Sequence, residues 1–371
     1  MNRGDFMNTI VLTARDSLMW NHYLSLIPES DIYYTLEYCR IYEENGEGQS
    51  QMFVYTEGDS IVCYPFLLRR IDHMQCVQAA EIMGPLFDIT TPYGYGGPIT
   101  NVKDPDERAE LFERFSSSFQ TFCGEQRIVS EFVRFHPILK NYEDYIATSP
   151  FFSRNTICLS LTDDEEIISG RYKVGNRNRI RRAYREGLAI RHADPSRLEH
   201  FVKLYYSTMD KNNAHSYYYF SETFFYNTVQ FLEGSIELIE VLYGDKIIAS
   251  CLFMHYNKYV HYHLLGSDKT YLKFGPINLL VHEAMLWAKN RGYEYLHLGG
   301  GYTGNDSLYE FKQTFNMDTN MDYYLGKKIH LPDIYNKLAE AARGKIEDDS
   351  YFPIYRHPAL QQQPLSVAEG G

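Results

Sequence analysis

Gly58-Asp59-Ser60-Ile61-Val62 and Gly244-Asp245-Lys246-Ile247-Ile248 are two versions of one segment, a Gly-Asp turn running straight into an apolar strand. Such a turn joins antiparallel strands, and the flanking residues repeat as well. Upstream of the first copy, Thr35 caps a helix to about Glu44 that Asn45-Gly46 ends, and strands are predicted over 52–56 and 61–70. Upstream of the second, Asp194-Pro195 starts a helix with the stripe Leu198, Phe201, Val202, Tyr205 and Met209. Strands follow over 236–242, 247–255 and 259–265.

Each copy is also followed by a helix. In the first half Asp104-Pro105 with Glu107 supplies an N-cap acid, a first-position proline and an acid to reach back. Leu111, Phe112, Phe115, Phe119 and Phe122 then fall at helical spacing. In the second, Gly275-Pro276 opens a helix to Asn290 with Leu280, Ala284 and Trp287 or Ala288 on one side, and Gly292 closes it. A short strand over 294–298 comes next. The expected fold is α/β (α+β), two similar domains at 1–160 and 161–330, each a mixed sheet flanked by helices. A C-terminal helix from Pro332 to about Lys345 and a flexible tail over 361–371 complete it.

Length and composition agree with this. A chain of 371 residues exceeds what one core covers comfortably, and 44% hydrophobic with 23% charged residues is a globular balance. The 33 tyrosines suit wet clefts that bind polar ligands, or reflect lineage composition. A net charge of −12 argues against general affinity for DNA or anionic membranes. Yet residues 171–187 hold seven Arg and Lys against one Glu, which reads as a dedicated anion site. No apolar run reaches the roughly 20 residues of a transmembrane segment, and no signal-peptide layout opens the chain. Six scattered cysteines without Cys-x-x-Cys read as reduced core residues of a cytoplasmic protein.

Four segments could carry chemistry. On a helix, Arg177, Arg181 and Arg185 stack at four-residue intervals and repel one another, so they want an anion, either a phosphate or the protein's own carboxylates. The run Tyr93, Gly94, Tyr95, Gly96, Gly97 before Pro98 makes a loop whose amides could approach a ligand closely. Lys273, Gly275 and Asn278 stand at a helix N-terminus able to cradle pyrophosphate. Finally, Gly299, Gly300 and Gly301 lead to Asp306 and Lys312, whose ammonium could stabilise developing negative charge. The glycine spacing also fits a dinucleotide site, but no βαβ unit opens there. His255, His261 and His263 cluster on adjacent strands; no metal-ligand spacing accompanies them, and core or cleft histidines are the simpler reading.

In this order, the pieces at 92–98, 177–187, 275–280, 298–301 and 311–315 resemble the Fem-type aminoacyltransferases and the related FemAB-like members of the GNAT acetyltransferases. The resemblance implies two tandem GNAT-like domains meeting at a cleft. It also implies an acyl donor, aminoacyl-tRNA or acyl-CoA, rather than a bound cofactor, with a nucleotide- or lipid-linked envelope precursor as acceptor. By that likeness Lys312 lies near the acyl group and the tyrosine-glycine loop lines the acceptor cleft. The expected reaction is direct attack of an amine on the carbonyl, with Asp306, Tyr262 or His263 taking the proton. A simple acyl-CoA N-acetyltransferase and a non-catalytic module binding nucleotide-linked glycans or RNA are the competing readings.

Overall fold

A computed structural model describes residues 7–343, 346 and 350–360; the tail expected over 361–371 lies outside the described residues. The strands are β1 Met7–Thr13, β2 Gln49–Glu57, β3 Ser60–Arg70, β4 Phe87–Thr90, β5 Ile99–Thr100, β6 Ile128–Arg134 and β7 Phe151–Ser160. They continue with β8 Leu188–Ala193, β9 Ile236–Tyr243, β10 Lys246–Tyr256, β11 Tyr259–Ser267, β12 Tyr295–Gly300 and β13 Met321–Ile329. The helices are α1 Ser17–Ser25, α2 Leu36–Glu44, α3 Gln75–Ala79, α4 Pro105–Glu125, α5 Glu165–Gly170 and α6 Val174–Arg185. After them come α7 Glu199–Lys211, α8 Glu222–Phe231, α9 Pro276–Asn290, α10 Ser307–Gln313 and α11 Pro332–Arg343.

Cap chemistry sets several of these ends. Thr35 accepts from the Tyr38 amide, Asp104 from those of Asp106 and Glu107, and Asp306 from those of Leu308 and Tyr309. Asp194 does not start a helix. It accepts from Ser196 to close a turn, and α7 begins at Glu199.

Two expected sheets are one. The order is β1-β2-β3-β4-β6-β13-β7-β12-β11-β10-β9-β8, with β5 on β3. Every named strand pairing is antiparallel except β4 with β6 and β11 with β12, which are parallel. Read from either edge, the sheet repeats the same plan of four antiparallel strands, a parallel step, then a strand from the other half. The last strands are exchanged: β7 follows β6 in the chain but pairs with β12, while β13 follows β12 but pairs with β6. The two exchanged strands pair with each other. This trade leaves neither half with an open inner edge, and residue 160, the expected domain boundary, is the last residue of an exchanged strand.

Strand alternation sorts the core into layers. Met52 and Val54 of β2 and Leu252 and Met254 of β10 pack with α1, α2, α7 and α8 in a cluster shared by both halves. Phe53 and Tyr55 face the α4 stripe Leu111, Phe112, Phe115 and Phe119 instead. On the second half's matching face, Val260, Leu296 and Leu298 pack under α6 and α9.

One buried charge ties down the end of the described chain. Asp88 on β4 is fully buried, with Arg69 Nε 2.7 Å from Oδ1 and Arg356 Nε 2.5 Å from Oδ2. Removing the charge leaves half-buried Arg69 without its carboxylate. Asp88→Ala should therefore lower unfolding free energy by about 3 kcal/mol in urea titrations; a loss under about 0.5 kcal/mol, the size of an ordinary surface change, would contradict this.

Candidate active site

The parallel ladder between β11 and β12 is short, pairing Tyr259 with Tyr295, Val260 with Leu296 and His261 with His297. Beyond that the strands part. On β11 the β10 register skips His263, a one-residue bulge, and β12 shifts register against β7 between His297 and Gly299, where Gly299 has a φ of 73°. Bulges re-aim side chains and end pairing, and here two of them open one gap.

Lys312 comes into this gap from the α6/α9 face. Its ammonium donates to the Gly300 carbonyl at 2.7 Å and stands 5.5 Å above the Tyr262 ring. Burial pushes its pKa down to about 8, against the opposing pull of Asp306 and Cys251. The glycines before it are needed for packing: a Cβ on Gly300 would stand 2.7 Å from the Asn155 carbonyl, and one on Gly301 2.3 Å from Asp306 Oδ1. Asp306 takes the amides of Tyr302 and Thr303 on one oxygen and those of Leu308 and Tyr309 on the other. Burial opposes its charge, but these amides outweigh it and hold the carboxyl below its usual range. A carboxylate so engaged organises the loop and α10, and is no proton acceptor.

On the other face, the site is completed by the first half. Asp31, just before α2, is fully buried; its Oδ2 lies 2.8 Å from His136 Nε2 and 2.7 Å from His261 Nε2, and its Oδ1 accepts from the Ile32 amide at 2.6 Å. Burial resists the charge, but the field and hydrogen bonds of the two histidines hold Asp31 well below the carboxylate range. His136 Nδ1 accepts the Leu139 amide at 3.2 Å, so its proton sits on Nε2 and points at Asp31. Nε2 of His261 is likewise a donor, and its Nδ1 is buried with no partner among the described residues. An unsatisfied buried group of this kind costs about 1–3 kcal/mol. Tyr33 and His297 lie beside it, with ring centres 4.8 and 5.7 Å away. His297 bonds Thr156 at 3.0 Å and is kept neutral by burial, with His261 and His136 adding to the effect.

The tyrosine-glycine loop closes over this cluster. Tyr95 packs against His136, His297 and Tyr323, and its hydroxyl is 3.8 Å from where a Cβ on Gly299 would stand; Lys312 Nζ is 3.3 Å from the same point. Gly94 has a φ of 98° and lies so close to Tyr33 that a Cβ would come within 2.6 Å of the ring. Gly96 offers its carbonyl to Tyr34 and Asn141, and a Cβ on Gly97 would press on Asn141. Tyr93, bonded through its carbonyl to Tyr38, meets Tyr217 and Tyr218.

Residues 175–313, which contain both diverging strands and Lys312, match the acetyltransferase (GNAT) domain family. This half carries a GNAT domain. Across the whole chain the fold is that of FemX: its crystal structure aligns with a TM-score of 0.65 at 13% identity, covering 89% of this chain and 99% of that one. A C-terminal domain from Agrobacterium fabrum, named for lysylphosphatidylglycerol synthetase, aligns with a TM-score of 0.50 at 13% identity, over 85% of this chain and 92% of that one. No curated protein matches in sequence.

Within the GNAT domain several anticipated site residues serve the scaffold. Arg177 donates to the carbonyls of Gly170 and Tyr172, tying α5 to α6. Arg181 and Arg185 are exposed on α6, whose buried residues are Asn176, Ile180 and Ala183. Asn278 bonds Asn176, which bonds the Thr314 carbonyl, and Lys273 is exposed beside Phe274. Gly275 is left-handed, and a Cβ there would meet the Arg179 carbonyl at 3.0 Å. His263 is neutral, pushed down to about 3 by burial and by His261, while burial raises Tyr262 well above its ordinary value. Sequence reading noticed His261 but grouped it with His255, which instead meets Tyr293.

The equivalent gap in the first half is sewn shut. Past the β4–β6 ladder, Thr91 donates to the Phe132 carbonyl, Arg134 donates to the Thr91 carbonyl and hydroxyl, and Gly96 bridges to Phe135. Among the described residues, the β11–β12 pair is the parallel pair left open. Lys312 gives that gap a measurable signature: after reductive ¹³C-methylation, one lysine resonance should titrate near pH 8, well below the others, and should vanish in Lys312→Met. Titration of every lysine above pH 10 would contradict the buried ammonium.

Proposed function

We propose that this protein is an N-acyltransferase that moves an acyl or aminoacyl group onto an amine of a cell-envelope precursor by direct attack. The single observation carrying this reading is Lys312 at the mouth of the β11–β12 gap, inside the matched acetyltransferase domain. A carbonyl entering between the strands meets an ammonium in a dry setting, where one such donor is worth about 10²–10³ in rate. No activated nucleophile competes. All six cysteines are buried, and burial raises Cys251, near Lys312, well above the ordinary thiol value, so it stays a thiol.

An aminoacyl ester such as aminoacyl-tRNA suits the donor side better than coenzyme A. Where a pyrophosphate would need free amides, the chain from Lys269 to Phe274 is a 3₁₀ turn, Pro276 brings no N–H, and the Arg179 carbonyl sits against Gly275. The acceptor belongs to a nucleotide- or lipid-linked precursor, a peptidoglycan peptide or an amino sugar, and the work is cytoplasmic. Residues 1–160 and 161–330 act as the two units facing that acceptor, with 331–371 as an extension.

Purified protein incubated with a ¹⁴C-aminoacylated tRNA pool, or with [¹⁴C]acetyl-CoA, should label a nucleotide-linked muropeptide or amino sugar, and the tRNA pool should be the better donor. Lys312→Ala should cut turnover about 100-fold while leaving the unfolding midpoint nearly unchanged. Undiminished turnover would remove Lys312 from the chemistry, and no label from either donor would end the transferase reading.

A further inference from the structure

Lys312 answers only half of an acyl transfer. An amine that attacks a carbonyl must also lose a proton, and none of the three acceptors expected from sequence is placed to take it. Asp306 is saturated by four amides, Tyr262 keeps its proton, and burial leaves His263 a weak base, its pKa pushed down to about 3. On the opposite face of the same gap, His261 Nδ1 is buried without a partner among the described residues. His261 itself is 1% exposed and is the last β11 residue paired with β12 before the strands part.

The hydrogen bonds around it fix its role. Asp31 can only accept, so His261 presents an N–H to it through Nε2, and in the neutral ring the lone pair then lies on Nδ1. Strand alternation sends His261 and Tyr262 to opposite faces, and Lys312 stands over Tyr262. The gap is thus flanked by a cation on one face and a free lone pair on the other, with Tyr95 packed between Gly299 and the histidine cluster.

We infer that His261 Nδ1 accepts the proton of the attacking amine and that Asp31 and His136, both from the first half, are its positioning residues. This rests on the transferase reading above. In the step, the amine nitrogen bonds the carbonyl carbon and the donor's ester C–O bond breaks. The amine proton passes to Nδ1, giving an imidazolium paired with the Asp31 carboxylate, and then to the departing oxygen, which leaves as the alcohol. His136 keeps its own N–H on Asp31 throughout, because its other nitrogen is occupied by the Leu139 amide. The exchanged sheet therefore has a chemical purpose: the first half, whose own gap is sewn shut, supplies the carboxylate of the second half's base.

Asp31, His136 and His261 also lie close enough together to hold a metal ion. A metal on His136 Nε2 would require a hydrogen on Nδ1, where the Leu139 amide already points, so the network favours proton transfer. The test uses the full chain and the ¹⁴C-aminoacyl-tRNA assay. His261→Gln should lower kcat at least 100-fold with circular dichroism unchanged, and His261→Gly should regain part of its rate with added imidazole, which Lys312→Ala should not. Asp31→Asn should reduce kcat with little change in KM. A His261→Gln enzyme within threefold of wild type, a folded His261→Gly enzyme that imidazole cannot rescue, or one equivalent of tightly bound metal by mass spectrometry would overturn the inference while wild-type transfer stands. A wild-type protein that transfers nothing would take the parent reading down with it.

Discussion

Two parallel strands that stop pairing govern everything else in this molecule. After His261 and His297, β11 and β12 lose their ladder and leave backbone groups that a sheet would normally satisfy. The chain answers each loss locally. Gly299 turns through a left-handed conformation, Gly300 gives its carbonyl to Lys312, and the His263 bulge shifts the rest of β11 by one residue. Because of that shift Val260 packs on one face and Leu264 on the other, although both are even-numbered. Ahead of the bulge, strand alternation puts His261 on one side of the opening and Tyr262, with Lys312 over it, on the other.

The first half shows the same topology with its gap closed. There Thr91, Arg134, Gly96 and Phe135 continue the pairing, and the space is filled. Exchange of β7 and β13 makes the two halves a single sheet, so they are not independent modules. That coupling keeps Asp31 and His136 in register with β11 to within a hydrogen bond, the precision a site built across two elements requires.

Much of this was legible in the sequence because it is local. Caps at Thr35 and Asp104, the helix start at Gly275-Pro276, the hairpins at Gly58 and Gly244 and the α4 stripe all depend on neighbours within a few residues. Lys312 and the glycines before it were singled out the same way. Contacts between elements were misread. Arg177 looked like a phosphate ligand until its carbonyl partners at Gly170 and Tyr172 were visible, and Asn278 until Asn176 was. Asp31 and His261 are 230 positions apart, and His136 lies 105 from Asp31; no spacing rule joins them. The strand exchange was equally hidden, since β7 and β13 resemble any other strands until their partners are known.

The most direct measurement is a crystal structure with a phosphonate analogue of an aminoacyl ester, whose tetrahedral centre mimics the point where nitrogen meets carbonyl. The account predicts its phosphonyl oxygen within hydrogen-bond distance of Lys312 Nζ, between β11 and β12, with the amine-mimicking side turned toward His261. An analogue seated on the outer face of α6, or between β4 and β6, with the β11–β12 gap unchanged, would contradict it.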